Sequence, residues 1–335
     1  MSTLRVDEPR PAPSPVHVTL DVAAWSLVLG VLRRDLPDLP LPDTFVTPVP
    51  LAPGQRRAAW RRLTSLGLAT AEPGSPGKRG SADQRDDPDE ADEADDPDEP
   101  DEPDEAAEAA EAAEATLADL APGFVAGLAL FALPGLRIRV SATVGDVALT
   151  QMLAWDGDKA VALSRRRRST GTGSELEPAV DLTFLDTASL LAQVMLAVPA
   201  DPPGHRGAGR PITLAWPTSV AVATALREGR DDVARHLADL PPEALTAVGA
   251  VACDLVGAVD VGVERVGPVG HPVAAPTHRA VWLWTGPDVV RLTAATAEEV
   301  TLRLSSRADV EDDVARAVTA LGRGVAGPTP PGAAR

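Results

Sequence analysis

The apolar positions of this 335-residue chain follow two rhythms, one near 3.6 that predicts amphipathic helices and one of two that predicts strands with a single covered face. A strand is expected over residues 16–20. It leads into a helix on which Trp25, Val28, Leu29 and Leu32 share one side. Leaving four such side chains in water would forfeit about 1.5–3 kcal/mol each, more than a marginally stable domain can carry, so the stripe must be covered. A Pro-rich connection over 37–53 leads to a second helix, 54–66, with Trp60 and Leu63 on one side and Arg57 and Arg61 one turn apart on another. Gly67 is placed to end it.

Further on, Leu117, Leu120, Phe124, Leu128 and Phe131 form a helical stripe that Pro122-Gly123 should kink or restart and Pro134-Gly135 should stop. Leu136, Ile138 and Val140 then alternate with Arg137 and Arg139, as in a strand with one dry and one wet face. Strands over 147–155 and 159–164 follow, joined at Asp156-Gly157, a pair suited to the positive φ angles of a tight hairpin. A strand over 180–185 precedes a helix face of Leu190, Leu191, Val194, Met195 and Val198.

The second half repeats the first. Ile212-Thr213-Leu214 echoes Val18-Thr19-Leu20, and Leu245, Val248, Ala252 and Leu255 mark a helix before a strand over 259–263. Trp284-Thr285-Gly286-Pro287-Asp288 stands where Trp155-Asp156-Gly157-Asp158 stood, and strands over 289–293 and 300–304 lead to a helix bearing Val310, Val314, Val318 and Leu321. Spacings between the landmarks Leu136 and Val259, Trp155 and Trp284, and Leu182 and Leu302 drift only by loop lengths, as in a divergent duplication; chance recurrence of common α+β grammar is the alternative. Duplicated lobes of this kind can merge their strands into one antiparallel sheet with helices on either side. The expected boundaries are a first lobe of 16–70 and 115–200 and a second of 211–322, with disordered ends at 1–15 and 323–335.

Net charge changes the picture at one place. The chain carries a formal −18, but 17 of its 49 acidic residues lie in 86–114 with no Lys or Arg, leaving 32 acidic against 31 basic elsewhere. A segment of such composition has no large apolar side chains to offset ordering entropy, so 71–114 is expected to be a disordered acidic insertion in an otherwise near-neutral protein. A lone Cys253 excludes an intrachain disulfide and fits a reducing compartment; it is expected to pack as a small buried thiol beside Val251, Ala252 and Leu255. The chain has no apolar run long enough to span a bilayer, which implies a cytoplasmic protein without membrane insertion.

Candidate chemistry is thin. Arg165, Arg166, Arg167 and Arg168 could grip phosphates, but without interleaved aromatics they read as a solvated strand end. His271 and His278, in a loop between strands, lack further ligands for a metal. Gly77-Lys78 and Gly171-Thr172-Gly173 lack the spacing of phosphate or dinucleotide loops, and Ser164 and Ser174 have no positioned histidine. Trp282 and Trp284 share a strand face, where sheet core is the simpler reading than a stacked ligand. No catalytic residue, cofactor or metal is predicted.

The order of Val18-Thr19-Leu20 and a Trp-bearing helix, Trp60-Arg61-Arg62-Leu63 through Gly67-Leu68-Ala69, the stripe running from Leu117 to Pro134 into Leu136-Arg137-Ile138-Arg139-Val140, and Trp155-Asp156-Gly157-Asp158-Lys159-Ala160-Val161 resembles the EspG family of ESX (type VII) secretion-associated proteins. The likeness is one of profile and order over most of the chain, with the acidic insertion and a longer loop at 165–177 as departures. The resemblance implies an α+β fold with a quasi-twofold duplicated antiparallel sheet flanked by helical bundles. It also implies a cytosolic, non-catalytic chaperone for PE/PPE-like helical secretion substrates, capping apolar helix ends that would otherwise aggregate. Expected partner contacts are the turn Val144-Gly145-Asp146 and a helical face with Arg230, Val233 and His236. An ordinary turn and an ordinary surface helix are the plain alternatives, His236 lying between Val233 and Leu237 among acidic neighbours. A homodimer stays open. Nucleic-acid binding through Arg165 to Arg168 is the rival function, which the near-neutral fold and anionic insertion disfavour.

Overall fold

The computed structural model describes residues 15–35, 41, 43–45, 49–70, 116–205, 210–238, 240, 242–266, 277–294, 296 and 298–323. Its strands are β1 (Val16–Asp21), β2 (Leu136–Val144), β3 (Val147–Trp155), β4 (Lys159–Thr170), β5 (Gly173–Leu176), β6 (Ala179–Asp186), β7 (Ile212–Ala215), β8 (Leu255–Arg265), β9 (Thr277–Thr285), β10 (Val289–Ala294) and β11 (Glu299–Ser305). The helices are α1 (Val22–Asp35), α2 (Pro53–Ser65), α3 (Pro122–Ala129), α4 (Leu190–Met195), α5 (Trp216–Arg227), α6 (Asp231–Ala238), α7 (Pro242–Cys253) and α8 (Arg307–Gly322). The expected acidic segment at 71–114, the first 14 residues, those beyond 323, His271 and Gly77-Lys78 lie outside the described residues. Contacts divide the chain into a sheet unit (1–21, 40–46, 127–335) and a helical unit (22–39, 47–126).

In the sheet unit an 11-stranded antiparallel sheet has the order β1-β6-β4-β3-β2-β8-β9-β10-β11-β7, with β5 paired to β4. Read outward from the central β2–β8 pair, both directions give the same succession of strands. Trp155 opposes Leu136 on β2 and Ala160 on β4, and Trp284 opposes Gly257 on β8 and Val289 on β10. Gly257, rather than Val259, is therefore the counterpart of Leu136, and an irregularity between Leu255 and Gly257 shifts the register at the very start of β8.

The duplicated turns close by the same bonds. Asp156 donates its backbone N–H to the Lys159 carbonyl at 3.2 Å, and Thr285 donates to the Asp288 carbonyl at 2.8 Å. Asp156 Oδ1 accepts the Lys159 N–H at 2.8 Å and Thr285 Oγ1 accepts the Asp288 N–H at 3.0 Å. Gly157 takes φ 112°, the positive value its pair suggested. After the last full-length strand of each half, Asp186 Oδ1 accepts the Ser189 N–H at 2.9 Å and Ser306 Oγ accepts the Asp309 N–H at 3.2 Å, capping the turns into α4 and α8. At the sheet edges, Leu20 opposes Val180 as Leu214 opposes Val300.

Alternation along the strands divides the core. On one face Ile138, Val140, Val261, Trp282, Trp284 and Val289 pack with Leu190 and Val194 of α4 and Val310 and Val314 of α8. On the other, Val290, Val300 and Leu302 pack with Val222 and Ala225 of α5, Ala234 of α6 and Val248 of α7. Trp282 and Trp284 are thus buried core, and the Trp284 indole N–H donates to the Ala200 carbonyl at 3.1 Å.

Within the helical unit the stripe Trp25, Val28, Leu29 and Leu32 is buried, as are Trp60 and Leu63. Gly67, φ 70°, ends α2 as expected. Its N–H donates to the Thr64 carbonyl and that of Leu68 to the Leu63 carbonyl, both at 2.9 Å, the paired bonds of a Schellman cap. The restart at Pro122 separates a 3-10 turn, Leu117–Asp119, from α3. Thr70 and Ala121 bond to Asp119 and Leu68 across an antiparallel bridge, so the chain leaves toward the acidic stretch and returns from it at one place. At the end of α1 the Arg34 guanidinium holds the Asp35 carboxyl below its ordinary range, helped by the Leu117 N–H.

Three local expectations are corrected. Leu255 opens β8 instead of closing a helix, since α7 stops at Cys253. Cys253 is exposed, because it ends α7 at the surface, whereas Val248 and Ala250 face inward. His278 lies in β9 rather than in a loop; its Nε2 is 2.9 Å from Asp313 Oδ2.

Candidate partner-binding surface

The β2–β3 turn is tight because Gly145, φ 58°, takes the left-handed backbone that residues with a Cβ avoid. Its N–H donates to the Val256 carbonyl at 3.1 Å, and the Ser169 N–H donates to the Asp146 carbonyl at 2.6 Å. The turn is thereby pinned between the start of β8 and the end of β4. The Asp146 carboxylate lies 3.4 Å from Arg168 Nη1, an exposed pair worth about 0–1 kcal/mol. Val144, 45% exposed, presents its side chain beside this turn, and Leu255 and Val256 are half exposed at the same end of the sheet.

Arg165 to Arg168 belong to β4, which continues to Thr170 and turns back as β5; the stretch expected to be a loop is a hairpin extension. Strand alternation splits the four arginines. Arg165 is buried, donating from Nη1 to the Thr44 carbonyl at 2.8 Å and from Nε to the Glu177 carbonyl at 3.3 Å. Burial, with Arg167 nearby, lowers its pKa from the ordinary arginine value. Arg168 reaches Asp146 and, at 3.8 Å, Glu177. Two of the four cations are thus engaged within the fold, which weakens the basic run as a phosphate-binding stripe.

The second group of expected contacts lies on and beside α6. Arg230 precedes the helix, exposed, with Nη1 3.9 Å from Glu228 Oε2. Val233 turns inward and packs with the α5–α7 core, while His236 is exposed. No hydrogen bond or ion pair among the described residues joins this group to the Val144-Gly145-Asp146 turn.

Beneath α8, Asp313 receives His278, Arg291 Nη2 at 3.0 Å and, at 3.5 Å, Arg316, while the Arg291 guanidinium lies 5.8 Å from the Trp282 ring centroid. This network cross-links α8 to the sheet, and its members sit too far apart in the sequence for spacing to reveal it. Among the described residues no helix is long and apolar enough to cross a membrane. None of them form a cluster of three or more His, Cys, Asp or Glu able to hold a metal.

No family model and no curated protein matches the sequence. Among solved structures, the Mycobacterium tuberculosis type VII secretion system chaperone EspG5, determined in complex with a PE25-PPE41 dimer, superposes with a TM-score of 0.53 at 13% identity over 90% of this chain and 96% of that one. The chain has the EspG5 fold. Peroxisomal multifunctional enzyme type 2 from Drosophila melanogaster (TM-score 0.14, 14% identity, 52% of this chain and 37% of that one) and a MaoC-like dehydratase from Phytophthora capsici (0.15, 9%, 90% and 98%) are too dissimilar to carry an argument. In this chain the doubled sheet is the scaffold, the β2–β3 turn joins two of its strands, and α6 lies between β7 and β8 in the sequence.

Proposed function

We propose that this chain is a cytosolic chaperone that binds PE/PPE-like helical substrates and keeps them soluble for type VII secretion, without catalysis. The observation that carries the reading is the fold shared with EspG5 over nearly the full length of both chains, EspG5 having been solved with a PE25-PPE41 dimer bound. The turn Val144-Gly145-Asp146 and, on and beside α6, the exposed Arg230 and His236 are the proposed contacts, with Val233 packed inward beneath them. A rigid turn offering an exposed valine and a carboxylate suits an apolar helix end with a polar rim, the usual anatomy of a specific interface. Co-expression with a PE/PPE-like helical pair, followed by gel filtration, tests it. A stoichiometric soluble complex is expected, and substrates that aggregate or elute apart would refute it. The same column reports whether the free chain pairs with itself.

A further inference from the structure

A groove of about 250 Å³ opens beside the β2–β3 turn, lined by Ala142, Val144, Val147, Leu149, Arg166 and the segment 196–199 that follows α4. Its floor is a cross-strand row: Ala142 opposes Leu149, and Leu149 opposes Arg166. Leu196, 76% exposed, stands on one wall, off the buried stripe of α4 formed by Leu190, Val194 and Met195. Every lining residue but one is apolar. The exception is Arg166: its backbone carbonyl accepts the Glu177 N–H at 2.9 Å, but its guanidinium makes no hydrogen bond or ion pair among the described residues, unlike those of Arg165 and Arg168.

An apolar groove with one uncompensated guanidinium specifies its occupant's chemistry. A large aliphatic or aromatic side chain removes apolar surface from water, and a nearby carboxylate pairs with the arginine, bidentate geometry making guanidinium the better partner for it. We propose that this groove receives a partner protein segment bearing a large apolar side chain and an Asp or Glu within about one helical turn of each other. The inference rests on the chaperone reading only for who that partner is; the groove and its charge stand without it.

The test is selection of 12-residue peptides from a displayed library on the full chain, followed by fluorescence polarisation of synthetic winners. Enriched peptides should pair Leu, Ile, Phe or Trp with Asp or Glu, bind R166E and L196D at least tenfold more weakly, and bind R167E, altered on the opposite strand face, like the parent. Changing the peptide's Glu to Arg should restore binding to R166E. Unchanged thermal unfolding of the variants confirms intact folds. No enrichment, winners lacking a carboxylate, or equal binding to R166E and R167E would overturn the proposal. Tighter peptide binding after deletion of residues 83–113 would make the chain's own carboxylates the occupant, and a dimer abolished by L196D would make it a second copy; either result overturns it. Export substrates that fail to bind while selected peptides obey the rule sink the chaperone reading alone. Substrates that bind while the library yields nothing sink the groove alone.

Discussion

Val140 of β2 and Val261 of β8 oppose each other at the centre of the antiparallel pair that joins the two halves of the sheet, and both are fully buried. With Leu136 matched to Gly257, Val140 is matched to Val261, so the pair lies on the approximate twofold relating β2-β3-β4-β6-β1 to β8-β9-β10-β11-β7. The seam is continuous core, and neither half of the sheet presents an open edge to the other.

Opening the seam should therefore destabilise the sheet unit as a whole. Gly257 allows β2 and β8 to approach, because a Cβ there would lie 2.6 Å from the Thr143 carbonyl oxygen, which backbone pairing holds in place. Gly257→Ala is expected to cost about 1–3 kcal/mol in urea unfolding. Gly262→Ala on the same strand, with nothing within 4 Å, should be neutral or mildly stabilising.

The two matched caps predict matched losses. Asp186→Ala and Ser306→Ala should each lower stability by about 0.5–2 kcal/mol, and the double variant should lose close to the sum, since the caps share no partner. Chemical denaturation of the three variants checks it.

Asp313→Ala would leave the half-buried Arg291 guanidinium without its carboxylate and release His278. A loss of about 2–4 kcal/mol is expected, below the full range for an entirely buried pair because Arg291 is partly solvated. Arg316→Ala, an exposed partner of the same carboxylate, should cost less than about 1 kcal/mol.

Asp35 gives a pH dependence of known sign. Its pKa is lowered in the fold, first by the Arg34 side chain and further by the Leu117 N–H, so the stabilisation it contributes is complete above the ordinary carboxylate pKa and disappears as pH falls through the lowered value. Asp35→Asn should flatten the acid limb of the helical unit's stability and leave neutral-pH exchange of the sheet amides unchanged, as hydrogen exchange across pH can show.

Much of this architecture was legible in the sequence because burial imposes period. The stripe Trp25, Val28, Leu29, Leu32 and the alternation Leu136, Ile138, Val140 each mark a face that must be covered, and Trp155-Asp156-Gly157 and Trp284-Thr285-Gly286 mark the repeated hairpins. What failed was local. Leu255 continues a helical spacing past the end of α7 at Cys253 into the first residue of β8, and the hairpin extension over 165–176 went unseen because polar residues on a strand extension carry no apolar period. The surface was harder still: Leu196 falls next to a buried stripe, and only three-dimensional packing separates it from Val194 and Met195.

Hydrogen exchange of the co-purified complex with a PE/PPE-like substrate, compared with the free chain, tests the central claim most directly. Slowed exchange at Val144, Gly145 and Asp146 together with Arg230 to His236, and none on β7 at the far edge, is the predicted footprint. A complex protected elsewhere, or no change at the turn, would contradict the account.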